Sequence, residues 1–189
     1  MKSYEIRPGD MLRFKNILKN RLDDERYNHS LNTSARAVQR ARLDGEDWYR
    51  AAAAGLLHDI SACDTTEYMI DLLGVYVLDE ETLLQPKLWH ARCGEILLRD
   101  MGVKDEDVLS AVRYHTTGKA AMSKLEMIVY LADKTSSERD YNEVEELRRV
   151  SDENLEAAMR MSLVSTVKML VQIEMPIVED AWNAYNYYL

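Results

Sequence analysis

Apolar residues recur along nearly the whole chain at spacings of three and four, the interval that lines one face of an α-helix. In "DMLRFKNILKNRL", Met11, Phe14, Ile17, Leu18 and Leu22 form such a stripe. A second helix is predicted from about Glu25 to Leu43, ending before Gly45, and a third from about Glu46 to Ile60. "DTTEYMIDLLG" carries Asp64 and Glu67 at capping-box spacing and stops near Gly74. "PKLWHARCGEILLRDMG" places Pro86 in a first turn and Gly102 just past the end. "DEDVLSAVRYH" opens at an Asp105 cap, and "SKLEMIVYLAD" carries a Ser123/Glu126 capping box. The short "YNEVEELRR", the long "DENLEAAMRMSLVSTVKMLVQIE" and the terminal "PIVEDAWNAYNYYL" complete the series, Pro176 separating the last two. No segment alternates apolar and polar residues between Asn-Gly or Asp-Gly turns, so no strand is predicted. The expectation is an all-α protein, a single helical domain over residues 1–189 with about nine or ten helices.

Two places break the apolar pattern. In "AAAAGLLHDI" the run from Ala51 to Leu57 is followed by His58 and Asp59, where a core would take two more apolar groups. In "LEMIVYLAD" a segment apolar nearly all round ends on Asp133. Burying a carboxylate is costly unless it is paired, hydrogen-bonded or bound to a metal. His58 and Asp59 therefore read either as metal ligands or as a hydrogen-bonded pair closing a helix.

The four histidines give the first reading more weight. His29 lies within the second helix, His90 follows Trp89, and His115 ends "VLSAVRYH". Taken singly, each reads as an ordinary partly buried residue. Taken together, the four histidines, Asp59 and Asp133 sit on or at the ends of different helices, apart from the adjacent His58–Asp59 pair. A helical bundle can project such groups into one site. Mixed imidazole and carboxylate ligation suits iron, manganese, nickel or zinc better than calcium or magnesium.

Composition narrows the function classes. The formal net charge of −9 argues against a sequence-nonspecific nucleic-acid binder, which needs a Lys/Arg surface. It leaves room for a small anionic ligand at a local metal site. No apolar run is long enough to cross a bilayer. The opening "MKSYEIRPGDM" lacks the apolar stretch of a secretory signal, so a cytoplasmic location is expected. Cys63 and Cys93 form no CxxC pair and read as buried free thiols. There is no Gly-x-Ser-x-Gly elbow, phosphate-cradling Gly-x-x-x-x-Gly-Lys loop or Gly-x-Gly-x-x-Gly. The aromatics Trp182, Tyr185, Tyr187 and Tyr188 read as core or dimer packing, and a homodimer is compatible with them.

The order His, His-Asp, His, His, Asp resembles that of the HD-domain superfamily of metal-dependent phosphohydrolases. The words "RYNHSLNTSARAV", "AAGLLHDI", "RYHTTGKAAMSKLEMIVYLAD" and "ERDYNEVEELR" are similar to those of the YqeK-type symmetrical bis(5′-nucleosyl)-tetraphosphatases of bacteria. The resemblance implies an HD fold, one or two divalent ions, iron first, and hydrolysis of diadenosine tetraphosphate to two ADP. It implies His29, His58, Asp59 and Asp133 as metal ligands, with His58 and Asp59 at the centre of catalysis. His90 and His115 would hold a second metal or the phosphates. Arg26, Lys119 and Arg139 would contact substrate. A different nucleotide substrate or a non-catalytic nucleotide-binding module are the alternatives. Three departures bear on substrate rather than fold. Ala62 stands where the family has a lysine, Ala91-Arg92 replaces Gly-Pro, and "KTSSER" replaces "YIEPGR" after Asp133. Arg92 is one candidate for the positive charge that Ala62 does not supply.

Overall fold

The computed structural model describes residues 6–7, 9–74, 83 and 85–189. Among these residues it contains ten α-helices and no strand. They are α1 (Asp10–Arg21), α2 (Asp24–Asp44), α3 (Trp48–Leu57), α4 (Thr66–Leu73), α5 (Trp89–Asp100), α6 (Glu106–Tyr114), α7 (Lys124–Thr135), α8 (Val144–Glu153), α9 (Leu155–Gln172) and α10 (Glu179–Tyr188). A 3₁₀ turn, Pro86–Leu88, leads into α5.

Local chemistry sets the boundaries. Asp23, Asp47, Thr65, Asp105, Ser123 and Asn154 each cap a helix by accepting backbone N–H groups. The Ser123/Glu126 box is complete on both sides. Asp64 is not the cap of α4, because its carboxylate is held by Arg21 at 2.6 Å and by Ser61. Thr65 takes the capping role instead. Gly45 ends α2 in the left-handed region, φ +69°, which a side chain would disfavour. α3 stops at Leu57, three residues earlier than predicted, with His58 as its C-cap still in right-handed helical geometry. α10 begins at Glu179 rather than at Pro176.

The central element is α7, which packs against α2, α3, α6, α8 and α9. That position explains why "LEMIVYLA" is apolar all round, since Leu125 and Met127 to Ala132 are all buried. α2 lies along α3 at close range. Gly55 makes this possible: a Cβ there would meet the Ala37 Cβ, the Ser34 Cα and the Thr33 carbonyl, each at 3.1 Å. α3 and α6 run side by side. Arg50 near the start of α3 grips Asp105 at the start of α6, and the rings of His58 and His115 meet at their far ends, 4.9 Å apart. Of the two thiols, Cys93 is buried as expected, whereas Cys63 is exposed. In α10, Tyr185 and Tyr188 pack on the core, while Trp182 and Tyr187 are exposed.

Candidate metal centre

The ends of α3 and α6, the second turn of α2, the start of α5 and the last turn of α7 converge on one point. They bring His58, His115, His29, His90 and Asp133 around Asp59. Asp59 is 3% exposed and faces two ways. Its Oδ1 is 3.2 Å from His90 Nε2 and 3.5 Å from His115 Nε2. Its Oδ2 is 3.4 Å from His58 Nε2, 3.8 Å from His29 Nε2 and 3.0 Å from the Arg26 guanidinium. Asp133 closes the second group, with Oδ1 2.9 Å from His29 Nε2 and 3.8 Å from His58 Nε2. Two triads result, His29–His58–Asp59 and Asp59–His90–His115, each with ligand atoms within 4.8 Å of one another.

Every imidazole has its Nδ1 committed elsewhere. His58, His90 and His115 donate to the carbonyls of Gly55, Lys87 and Val112, each three residues earlier. A carbonyl only accepts, so Nδ1 carries a proton; in the neutral ring the Nε2 lone pair then points inward, and in the protonated ring Nε2 donates to the carboxylates instead. His29 Nδ1 instead donates to the Glu138 carboxylate at 2.5 Å. Inside the cluster, His29 and His58 Nε2 are 3.2 Å apart, and His90 and His115 Nε2 are 3.1 Å apart. Facing lone pairs beside a buried carboxylate repel unless a cation lies between them. Nitrogens about 2.0–2.1 Å from one ion are themselves ~3 Å apart, which is the spacing here. The donor set of imidazole and carboxylate suits a divalent transition metal, with Asp59 offering one oxygen to each triad.

The electrostatics agree with a cation-seeking site. Burial pushes His58 down to about 4, against the raising influence of Asp59. Burial would also lower His29, but its hydrogen bonds to Asp133 and Glu138 outweigh that and raise it. Burial disfavours the charged form of Asp59, yet His58, His115 and His90 hold its carboxyl well below the usual range. Asp133 behaves in the same way, with burial overcome by His29, His58, Lys134 and Arg139.

The comparisons with known proteins point in one direction. Residues 26–138 match the HD domain, which is more than half of the chain. The chain belongs to the HD-domain family. This HD protein is 34% identical to the symmetrical bis(5′-nucleosyl)-tetraphosphatase of Halalkalibacterium halodurans, covering 90% of the chain and 92% of the relative. It is 32% identical to the enzyme of that name from Bacillus subtilis, with the same coverage. A crystal structure of a predicted HD superfamily hydrolase involved in NAD metabolism, from Clostridium acetobutylicum, superimposes with a TM-score of 0.91 at 33% identity. That match covers 99% of this chain and 98% of the other.

The remaining expected site residues of this HD domain divide into two groups. Arg26 and Arg139 are at the cluster, each on a carboxylate: Arg26 on Asp59, and Arg139 on Asp133 Oδ1 at 2.5 Å. Lys119 is not brought there. Its ammonium pairs with the buried Glu126 at 2.8 Å and donates to Ser110 Oγ. Arg92 borders a small recess with Trp89, Arg113 and Asp180. Glu138 is the residue that sequence reading missed. Besides His29 it accepts from Asn32 at 2.8 Å and from Ser136 at 2.7 Å. Its only sequence signal is a lone carboxylate in a polar loop, which carries no information about a partner 109 positions away.

Beside Asp133 and Arg139 opens a cavity of about 480 Å³. One wall comes from the end of α7 and its following loop, with Asp133, Lys134, Arg139 and Tyr141. The facing wall is α9, where Met161 and Leu170 alternate with Ser162 and Thr166. A mostly apolar cavity of this size with a few polar groups is typical of a small-molecule site.

Proposed function

We propose that this chain hydrolyses dinucleoside polyphosphates, splitting diadenosine tetraphosphate symmetrically into two ADP. The observation that carries this reading is the pair of triads sharing Asp59, set beside a cavity large enough for a nucleoside. The names of the relatives support the substrate class. Water adds at the second phosphorus of the chain, the bond from the bridging oxygen to that phosphorus breaks, and both halves leave as ADP.

His29, His58, Asp59 and Asp133 would hold one divalent ion, and Asp59, His90 and His115 a second, with iron proposed as the native metal. Bound there, a divalent ion supplies Lewis acidity and lowers the pKa of water, as metal phosphohydrolysis requires. The protein's own part is to place charge. Asp59 fixes the spacing of the two triads. Arg26 and Arg139 stand at the rim, about half and one-third exposed, where their N–H groups meet phosphoryl oxygens as negative charge develops. The cavity takes one nucleoside, which aligns the phosphates with the cluster. The reaction is assigned to the cytoplasm, and no helix among the described residues is long and apolar enough to cross a membrane.

The test is elemental analysis of the purified protein combined with a substrate panel. We expect bound iron, and ADP as the nucleotide product from diadenosine tetraphosphate, with far slower turnover of mononucleotides and cyclic dinucleotides. Preferred turnover of either of those classes would overturn the substrate assignment.

A further inference from the structure

Among the described lysines, all are exposed except Lys119 and Lys134. Lys119 has a fixed counter-ion in Glu126. Lys134 has no such direct pair: no described carboxylate oxygen lies within 4.0 Å of its ammonium, which sits 4.7 Å from the centre of the Tyr130 ring, and the neighbouring Asp133 acts on it only from further off. Tyr130 is fully buried, so the cation is backed by an apolar wall and an aromatic face. A partly buried ammonium without a direct ion pair loses hydration that a ring contact only partly replaces. The backbone at this position is also held in place, because the Tyr141 hydroxyl donates to the Lys134 carbonyl at 2.9 Å.

The placement says what completes it. Lys134 follows Asp133 directly and lines the same cavity wall as Asp133 and Arg139. Arg139 is already engaged by Asp133. The α9 wall presents hydroxyls and apolar groups, and the carboxylates that line the cavity, Asp133 and Glu143, form no ion pair with Lys134 within 4.0 Å. An anion that enters this cavity with a nucleoside attached therefore meets in Lys134 a cation without a direct ion pair. Lys134 is also the first residue of "KTSSER", the segment where the chain departs from the wording it otherwise resembles.

We propose that the Lys134 ammonium is a specificity-determining phosphate ligand, binding a non-bridging oxygen of the nucleotide whose nucleoside occupies the cavity. This rests on the reading of the cavity as a nucleotide site. It adds that affinity there comes from the phosphate as well as from the base, through a residue outside both triads.

The experiment compares ADP and adenosine binding by calorimetry to the full chain and to Lys134→Met and Lys134→Arg. Methionine keeps the length and apolar stem of the side chain and removes the charge. Lys134→Met is expected to weaken ADP about 10- to 100-fold, the range for a lost charged hydrogen bond, and to leave adenosine within about threefold. Lys134→Arg is expected to stay within about fivefold of wild type for ADP. Unchanged ADP affinity in Lys134→Met overturns the proposal, as does an equal loss for ADP and adenosine. If wild type cleaves diadenosine tetraphosphate while Lys134→Met binds ADP normally, the lysine's role falls and the function stands. If ADP binding depends on Lys134 but diadenosine tetraphosphate is not cleaved, the lysine's role stands and the substrate assignment falls.

Discussion

Asp59 and Glu126 are both 3% exposed carboxylates in the same helical core, and they solve the cost of burial in opposite ways. Glu126 is satisfied permanently. Lys119 supplies its counter-charge at 2.8 Å, Ser123 N–H donates at 2.6 Å, and the Ser110 hydroxyl donates as well. Asp59 is ringed by four imidazoles whose protons point outward to carbonyls or to Glu138, with a single half-exposed arginine on one oxygen. One carboxylate is part of the scaffold. The other is met mainly by imidazole nitrogens, the donor set that suits a metal ion. Burial alone does not mark a functional carboxylate; the kind of partner does.

The contrast breaks most sharply at Asp59, because it serves both triads. Asp59→Ala is expected to lower phosphohydrolase activity by a factor on the order of 10³ or more. Bound metal should fall at both positions, not one. His58→Ala should remove metal mainly from the triad shared with His29. Either variant retaining full metal content and full activity would sink the assignment of the cluster.

Lys119→Met tests the other side. Removing one partner of a buried pair strands the remaining charge, worth about 3–5 kcal/mol when both are buried. Lys119 is one-third exposed, so a loss of about 2–3 kcal/mol is expected, lowering the melting temperature by roughly 5–10 °C. Metal content should not change. A loss of metal with unchanged stability would move Lys119 back to the site.

Glu138 refines the comparison within the cluster. Three histidines are oriented by carbonyls of their own helical segments, but His29 depends on a carboxylate from a distant loop. Such supporting partners typically change metal affinity 10- to 100-fold. Glu138→Gln is expected to weaken the ion held by His29 and His58 by about that factor, while the His90–His115 position loses little. Competition with a chelator at graded concentrations would resolve the two, and equal weakening at both would refute the local role of Glu138.

The fold was legible because almost every element is an amphipathic or buried helix, and six of the ten described helices carry a side-chain cap written within four residues. The six-residue cluster was legible because polar groups stand where the apolar pattern demands otherwise. The same logic applied to Glu126, which lies inside "KLEMIVYLA", yet its capping-box role hid its burial and left Lys119 free to be assigned to substrate. Glu138 was illegible because its partner comes from α2, and no local periodicity records that meeting. The helix predicted to Ile60 shows a related limit. Apolar continuity through Leu57 does not reveal that the regular helix ends there and gives way to a series of turns that carries His58 and Asp59.

The smallest effect comes from a carboxylate paired like Glu126 but only half-buried. Arg50 holds Asp105 in a two-pronged contact, at 2.8 and 2.6 Å, and thereby ties the starts of α3 and α6. Those are the two helices whose far ends carry His58 and His115. Burial would raise the Asp105 carboxyl, but the hydrogen bonds and charge of Arg50 hold it below its ordinary value of 3.8. A depressed carboxyl contributes stability that is complete above that value and is lost as pH falls through it toward the folded-state value. Asparagine caps a helix as well as aspartate does, so Asp105→Asn removes the charge and keeps the cap. Wild type should therefore exceed Asp105→Asn by about 1–2 kcal/mol near neutral pH, with the gap closing from about pH 4 downward. Denaturant unfolding of both proteins across that range is the measurement. A gap that stays constant with pH would mean that Arg50 aligns the two helices by packing rather than by charge.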